Sequence, residues 1–390
     1  MYNIQVSPYN HKSHAIKSVR IVDCSLRDGE QQPGIVYTRK DKVKIAQSLD
    51  RLGVDEIEAG MPAVSEADFE AIAEIVSLNL RAKISALANS RADDINLVKK
   101  TGAWGLRISL PSSTLQRRYK LRKSDEEVLT MALNAAELGK ASGLHVIFSP
   151  YDTTRCDLPF LVKLLSELRK RNLVDRIRIV DTVGSALPSA IRFLVRVMKD
   201  VSEGLPIEIH CHNDFGMALA STAEGVLAGC EYVSCAMNGL GPHSGNVALE
   251  EVALLMELLY GISTGIDLKY LYEAALLVEK LSGVKIHPNK AIIGPNAFAN
   301  EAGLAVGGIL KNIFTGHAYE PDLVGQKLRI VIGKKSGLAS IRHVLDAYGI
   351  KMPDDDARKV LQEVKKLAIR KKRTITDEEL LEIAKRYSAR

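Results

Sequence analysis

The sequence lacks the features of membrane, secreted and disulfide-bonded proteins. No apolar run approaches the roughly 18 residues that a membrane-spanning helix requires. The N-terminal stretch MYNIQVSPYNHKSHAIKS has no apolar centre and is therefore no signal peptide. The five cysteines are an odd number and form no Cys-x-x-Cys pair, which argues against a disulfide framework. We therefore expect a cytoplasmic protein that does not bind a membrane.

A strong excess of one charge is also missing. The net charge is +6 over 390 residues, which suits anionic small molecules. The densest basic run, Lys365 to Arg373, lies in a strongly helical stretch. Such a run usually forms a solvated helix face rather than a polyanion site. We therefore expect no nucleic-acid partner.

What the sequence does contain is a regular alternation of short β-branched runs with longer amphipathic stretches. Alternation of this kind predicts a parallel α/β sheet, and eight repeats favour a closed (β/α)8 TIM barrel over an open doubly wound sheet. The eight apolar runs are residues 19–26, 54–60, 82–88, 105–110, 144–149, 177–182, 207–212 and 232–237.

The remaining chain predicts a smaller appendix after the barrel. A barrel needs about 250 residues, so 390 residues leave room for more. We predict an N-terminal extension over 1–18, the barrel over 19–283, a linker subdomain over 284–345 and a helical subdomain over 346–390. The segment Thr376-Asp377-Glu378-Glu379 predicts a helix start, with Thr376 at the N-cap.

Polar residues collect where the barrel strands end, which is where TIM barrels carry their active sites. His210 and His212 are two residues apart on strand 7, so both imidazoles point to the same side. Asp23 ends strand 1 and could meet them there. Two histidines and one carboxylate form a common metal site with open positions for substrate. Arg27 follows Asp23 by four residues and would suit a developing enolate or alkoxide oxygen beside the metal.

These motifs resemble the 2-isopropylmalate, citramalate and homocitrate synthases of the DRE-type TIM-barrel metallolyase superfamily. The resemblance runs in order along nearly the whole chain. It is carried by DCSLRDGEQQPG (23–34), EAGMPAVSE (58–66), DTVG (181–184), HCHNDFGMA (210–218), NGLGPHSGNVALEEV (238–252), PNKAIIGPNAFANEAG (288–303), GGILKN (307–312), AYEPDLVG (318–325) and GKKSG (333–337).

The resemblance implies a Claisen-type condensation of an acyl-CoA, usually acetyl-CoA, with a 2-oxo acid. It also implies a homodimer, in which the linker reaches the barrel of the neighbouring subunit. One divalent ion is implied, for which Mg, Mn, Co and Zn all stay open. The implied roles are metal binding for Asp23, His210, His212 and Asn246, polarisation of the oxo group for Arg27, carboxylate binding for Thr182, a place near the substrate for Gln31, and assistance in proton transfer for Tyr319.

Three departures from the family pattern affect proton transfer. Tyr151 replaces a glutamate after strand 5, and His243 replaces an arginine in the loop after strand 8. The family linker motif HESGIH reads Asn300-Glu301-Ala302-Gly303-Leu304-Ala305 here, so both of its histidines are gone. Ala305 falls where a catalytic histidine is expected.

The missing base leaves several substitutes and several functions open. Asp152, Tyr151, His243 and Glu301 are candidates for proton transfer or substrate contact, and histidine, as at position 243, is the commonest general acid–base residue. The synthase is our principal expectation. The alternatives are a carbon–carbon lyase or aldolase with another proton shuttle, and a metal-binding paralogue without catalysis.

Overall fold

The computed structural model describes residues 3–10 and 14–388, with the side chain of residue 388 left out. The described chain forms two compact units. The first spans Asn10–Lys285, and the second contains the described residues of 1–9 and 286–390. No helix in this part of the chain is both long and apolar enough to cross a membrane.

The first unit is built around a closed barrel of eight parallel strands in sequence order, as the alternation predicted. Each strand overlaps its predicted apolar run and extends at most two residues beyond it. The strands are β1 Arg20–Asp23, β2 Glu56–Glu58, β3 Lys83–Ala88, β4 Gly105–Pro111, β5 His145–Tyr151, β6 Arg176–Asp181, β7 Ile207–Cys211 and β8 Tyr232–Cys235.

Helices of the first unit follow the strands, and several of them begin at side-chain caps. Thr38 and Asp41 form a reciprocal capping box at the start of α1, as do Ser124 and Glu127 at α4. The helices are α1 Arg39–Leu52, α2 Glu66–Ser77, α3 Ala92–Thr101, α4 Asp125–Ala141, α5 Leu158–Lys170, α6 Pro188–Ser202, α7 Ala218–Ala228, α8 Leu249–Leu254 and α9 Leu271–Ser282.

The barrel interior on the N-terminal side of His210 in β7 is charged rather than apolar. Arginines and glutamates from four strands pair there, all at most 2% exposed. Distances include 2.9 Å from Arg107 Nη1 to Glu208 Oε1 and 2.8 Å from Arg176 Nη2 to Glu56 Oε2. Mutual pairing of this kind is what makes buried charges tolerable. This charged layer consists of Glu56, Glu58, Arg107, Arg176, Arg178 and Glu208.

The described part of the second unit has a two-stranded parallel sheet and four α-helices. The strands are β9 Ala299–Asn300 and β10 Arg329–Ile330, and the helices are α10 Gly303–Ile309, α11 Leu338–Ala347, α12 Asp354–Lys371 and α13 Asp377–Ser388. Its apolar core draws Ile332 and Ile341 together with Val360 and Leu380. Residues on both sides of the predicted boundary at 345 therefore share one core.

The predicted start of the last helix is confirmed. The backbone N–H of Glu379 donates to Thr376 Oγ1 at 3.3 Å, and the backbone N–H of Thr376 donates to Glu379 Oε2 at 3.0 Å. This reciprocal pair is a capping box. The last two residues of the predicted helical subdomain, 389 and 390, lie outside the described residues.

Candidate active site

Two buried histidines face each other at the C-terminal end of the barrel. His210 lies in β7 and His212 follows it, and their Nε2 atoms are 3.2 Å apart. His210 Nδ1 is 2.9 Å from Ser234 Oγ on the neighbouring strand, which orients the ring. Burial lowers the pKa of both histidines, although the nearby Asp28 opposes that shift. The neutral imidazole that results is the form that binds metal.

Asp28 completes this histidine pair. Its Oδ2 atom lies 3.7 Å from His210 Nε2 and 3.6 Å from His212 Nε2. Burial raises the pKa of Asp28, but Arg27 and the two histidines outweigh it and lower the pKa to about 2. The carboxylate is therefore ionised, and the three side chains form a group that could hold a metal ion.

The structure does not place Asp23 with the histidines, contrary to the sequence prediction. Val22 is the residue of β1 that pairs with Ser234, and Asp23 pairs with Cys235. Side chains alternate along a strand, and Ser234 is the residue that contacts His210, so Asp23 points to the other face of the sheet. Its carboxylate accepts hydrogen bonds from Ser25 N at 2.8 Å and Ser25 Oγ at 2.9 Å. Burial there raises the pKa of Asp23 to about 7.

Asn246 adjoins this group and offers a candidate fourth ligand, its amide oxygen. Its Nδ2 donates to Asp28 Oδ2 at 2.7 Å and to the Leu240 carbonyl at 2.9 Å. Its Oδ1 is buried and has no hydrogen-bond partner among the described residues. An unsatisfied buried polar atom costs about 1–3 kcal/mol, so a ligand for this oxygen is expected. The residue at 241 must be glycine, because a Cβ there would lie 2.4 Å from Asn246 Nδ2.

The donor set fits a divalent cation. It comprises two imidazole nitrogens, one carboxylate and one free amide oxygen. Such mixed nitrogen and oxygen sets bind first-row divalent metals and Mg, and ligand type alone does not select one of them.

A cavity of about 570 Å³ opens beside this group. Arg27, Gln31, Tyr151, Thr182 and His243 lie on its wall together with Asp28 and the two histidines, so most predicted site residues do converge. The apolar part of the wall consists of Met61, Leu87, Leu110, Pro111, Leu121, Met131, Val180 and Pro242.

Arg27 is held in place by two carboxylates. Its Nε donates to Glu58 Oε1 at 2.6 Å, and its Nη1 pairs with Asp28. The other oxygen of Glu58 lies 2.8 Å from Arg178 Nη2, within the charged layer. The guanidinium on the cavity wall is therefore fixed from below, and its charge is kept at any ordinary pH.

Thr182, which follows β6, lies on the cavity wall, whereas Asp152, which follows β5, does not. Thr182 lies on the wall, and its Oγ1 accepts a hydrogen bond from Asp152 N at 3.0 Å. Asp152 is fully buried, with its carboxylate bonded to Ser113 Oγ at 2.5 Å and Arg155 Nε at 2.8 Å. It is not among the residues that form the cavity wall, so the structure does not support Asp152 as the substitute base.

The remaining proton-transfer candidates are divided between the units. His243 has a left-handed backbone (φ 56°), and its half-exposed ring brings Nδ1 to 3.4 Å from Asp214 Oδ1. Burial raises the pKa of the Tyr151 phenol on the cavity wall. Tyr319 lies in the second unit, where burial raises its pKa to about 12. Glu301 binds the backbone N–H of Lys335 at 2.8 Å in the same unit.

Asp28, Glu58 and the charged layer were missed by sequence reasoning. A usable signal was present in the alternation of charged residues within three strands, Glu-Ile-Glu at 56–58, Arg-Ile-Arg at 176–178 and Glu208 after Ile207. Period-two spacing of opposite charges on parallel strands indicates one paired interior layer. Asp28 had no such signal, because it follows a turn rather than a strand.

Two family models and several known synthases match this chain. Residues 18–278 match the HMGL-like family, and residues 292–372 match the family described as homocitrate synthase post-HMGL domain-like. A probable 2-isopropylmalate synthase of Ignicoccus hospitalis is 40% identical over 95% of this chain and 92% of its own length. An (R)-citramalate synthase of Methanocaldococcus jannaschii is 40% identical over 95% of this chain and 75% of its own. A homocitrate synthase of Methanothermobacter thermautotrophicus is 37% identical, covering 93% and 92%.

A solved structure supports the fold alone. The hydroxymethylglutaryl-CoA lyase of Pseudomonas aeruginosa superposes with a TM-score of 0.62 at 22% identity, over 70% of this chain and 95% of that one. The lyase therefore says nothing about the reaction catalysed here. The family models and the relatives together establish that this chain belongs to the HMGL-like family and carries, after its barrel, the domain that follows the HMGL-like domain in homocitrate synthases.

Proposed function

We propose that the protein catalyses the metal-dependent Claisen-type condensation of an acyl-CoA, acetyl-CoA in the first instance, with a 2-oxo acid. The observation that carries this proposal is the convergence of Asp28, His210 and His212 with Arg27 on one cavity wall. The relatives named as 2-isopropylmalate, citramalate and homocitrate synthases support it.

The barrel residues would bind and activate the 2-oxo acid. Asp28, His210, His212 and the free Oδ1 of Asn246 would hold the divalent ion, which supplies Lewis-acid polarisation of the oxo group. Arg27, fixed by Glu58, directs its guanidinium at the oxygen that gains charge as the C–C bond forms. The Thr182 hydroxyl is free to donate to the substrate carboxylate, because its oxygen already accepts from Asp152 N.

The reaction needs proton transfer at two places. The acyl methyl group must lose a proton before its carbon attacks the oxo carbon, and water must lose one as it hydrolyses the thioester. His243 suits the water step, since its side chain is 51% exposed and Asp214 orients it. The methyl step has no evident acceptor on the barrel wall, where Tyr151 has a raised pKa and the other two histidines belong to the metal group.

The products named for the relatives define a short substrate panel. Removing the acetyl-derived carbons from 2-isopropylmalate, citramalate and homocitrate leaves 3-methyl-2-oxobutanoate, pyruvate and 2-oxoglutarate. The apolar side chains of the cavity wall do not select one of these three acids, because one methylene group changes the binding free energy by only about 1–3 kcal/mol.

The test is release of free thiol from acetyl-CoA with each acid, with and without Mg, Mn, Co or Zn. We expect thiol release that requires both an acid and a metal. Cleavage of a 3-hydroxy acid or its thioester without thiol release would favour the lyase or aldolase instead. Metal binding without turnover of any of these substrates would favour the non-catalytic paralogue. The homodimer and the cytoplasmic location stay predictions.

A further inference from the structure

The second unit holds an imidazole beside the position where the family motif has lost one. Asn300 stands where the family linker has its first histidine, and its Nδ2 lies 3.0 Å from Nε2 of His317. The family histidine expected at position 305 is replaced by Ala305, on α10. An imidazole is thus present in this region, but it comes from a different point in the chain.

His317 shares a cavity with the tyrosine that matches the family. His317 and Tyr319 both line a cavity of about 260 Å³ within the second unit. The ring of Phe298 contacts both, with centroids 5.2 Å from His317 and 5.5 Å from Tyr319. One aromatic side chain therefore restricts the imidazole and the phenol on the same wall.

Phe298 and Asn300, whose side chains contact His317, are held in place by hydrogen bonds of the β9–β10 pair. The backbone N–H of Arg329 donates to the Phe298 carbonyl at 2.9 Å, and that of Val331 donates to the Asn300 carbonyl at 2.9 Å. Phe298 directly precedes β9 and Asn300 is the second residue of β9, and the side chains of both contact the His317 ring. The imidazole is therefore held by a short sheet rather than by a free loop.

We propose that His317 accepts the proton from the acyl-CoA methyl group, in place of the linker histidine that this chain lacks. The inference rests on the proposed function. By the resemblance given above, the linker of a family member reaches the barrel of a neighbouring subunit, and His317 would reach the acyl-CoA in the same way. The ligand class is the acyl thioester end of coenzyme A.

The chemistry requires one free nitrogen lone pair on His317. Among the described residues, Nδ1 has no hydrogen-bond partner, and it is Nε2 that Asn300 contacts. A half-turn of the Asn300 amide presents Oδ1 to a proton on Nε2 and leaves the lone pair on Nδ1. Burial also lowers the pKa of His317, which favours the neutral ring.

The step balances without a further reactant. The methyl C–H bond breaks and its proton goes to Nδ1 of His317, while the electron pair forms the C–C bond to the oxo carbon. The oxo oxygen takes up a proton from solvent water and becomes a hydroxyl group. A water molecule then cleaves the C–S bond, which yields a carboxylate, the free thiol of CoA and one proton released to solvent.

The test compares the unaltered enzyme with His317→Gln, which keeps an amide for Asn300 but cannot accept the proton. We expect metal-dependent binding of the 2-oxo acid to be unchanged and thiol release to fall at least about a hundredfold. The kinetic isotope effect with trideuteroacetyl-CoA should rise, since methyl deprotonation becomes rate-limiting. His343→Gln, an exposed histidine on α11 of the same unit, is the matched control and should retain full activity.

A second variant keeps the proposal falsifiable if glutamine disturbs packing. Adding Ala305→His to His317→Gln should restore thiol release at least tenfold, because it returns an imidazole to the family position. Thiol release by His317→Gln within threefold of the unaltered enzyme, with an unchanged isotope effect, would overturn the role of His317 and leave the proposed function intact. No thiol release by the unaltered enzyme with any of the three acids would overturn both.

Discussion

The barrel and the second unit differ in how much of the family pattern they keep. The barrel retains the implied electrophile-binding residues Arg27, His210, His212 and Asn246, and the structure gathers them with Asp28, in place of the expected Asp23, at one end of the strands. Its departures, Tyr151 and His243, lie on the cavity wall beside that group. The second unit retains Tyr319 but has Asn300 and Ala305 in place of the family histidines. Binding the electrophile needs several ligands with fixed mutual geometry, whereas proton transfer needs one imidazole within reach. The second requirement can be met from a new position in the chain, which is the role proposed for His317.

The two units also differ in what stabilises them. The barrel interior pairs three arginines with three glutamates, and the second unit packs an apolar core between helices. We therefore expect single substitutions to have unequal effects in the two units.

Removal of the metal should have the largest effect. Chelation of divalent cations should lower thiol release at least about a thousandfold, because the polarisation of the oxo group contributes several kcal/mol to the transition state. The measurement is thiol release before and after dialysis against a chelator, with Mn or Mg added back as the control. Full activity after verified metal removal would place the barrel outside the family chemistry.

Glu208→Gln should come next, because Glu208 contacts all three arginines of the charged layer. Removing one partner leaves buried positive charge without compensation, which typically costs about 3–5 kcal/mol. Chemical denaturation would measure the loss. Glu273→Gln is the control, since Glu273 pairs with Arg51 on the surface and should change stability little. Equal effects of the two substitutions would argue against a cooperative charged layer.

Asp23→Asn should change the pH dependence of stability. The folded pKa of Asp23 is about 7 against an ordinary value of 3.8, so the folded state holds the proton more tightly than the unfolded state does. The stability that this protonated carboxyl contributes is fully present below pH 4 and is lost as pH rises to 7. Relative to the unaltered protein, the variant should gain on the order of 2–4 kcal/mol in unfolding free energy across that window. Unfolding at pH 4 and pH 8 gives the difference. Asp93→Asn, at an exposed position of α3, should show no such trend.

Thr376→Ala should have the smallest of these effects. It removes the side-chain oxygen that accepts from the backbone of Glu379, and N-cap losses cost about 1 kcal/mol. Thr374→Ala, two residues earlier and outside the capping box, is the matched control. A loss as large as that of Glu208→Gln would mean that the second unit depends on this cap far more than on its apolar core.

Much of the fold could be predicted from the sequence, and the limits are specific. Periodicity located all eight strands, and cap residues located the start of α13, because both are local signals. Strand parity correctly brought His210 and His212 together. The same alternation gave the wrong orientation for Asp23, because the run VRIVDCSL is apolar on both faces and does not show which face lies inside the barrel. Asp28 and His317 could not be placed, because each depends on a turn or on a contact between distant segments.

The most direct test of the account is a titration of Mn into the metal-free enzyme, comparing Asp28→Asn with Asp23→Asn. The two substitutions are chemically identical and lie five residues apart, at the end of β1 and just after it. We expect Asp28→Asn to weaken Mn binding more than about a hundredfold, since loss of an outer-shell partner alone costs 10–100-fold. Asp23→Asn should leave the affinity within threefold. Loss of Mn binding in Asp23→Asn with retention in Asp28→Asn would contradict the assignment of the metal group to Asp28, His210 and His212.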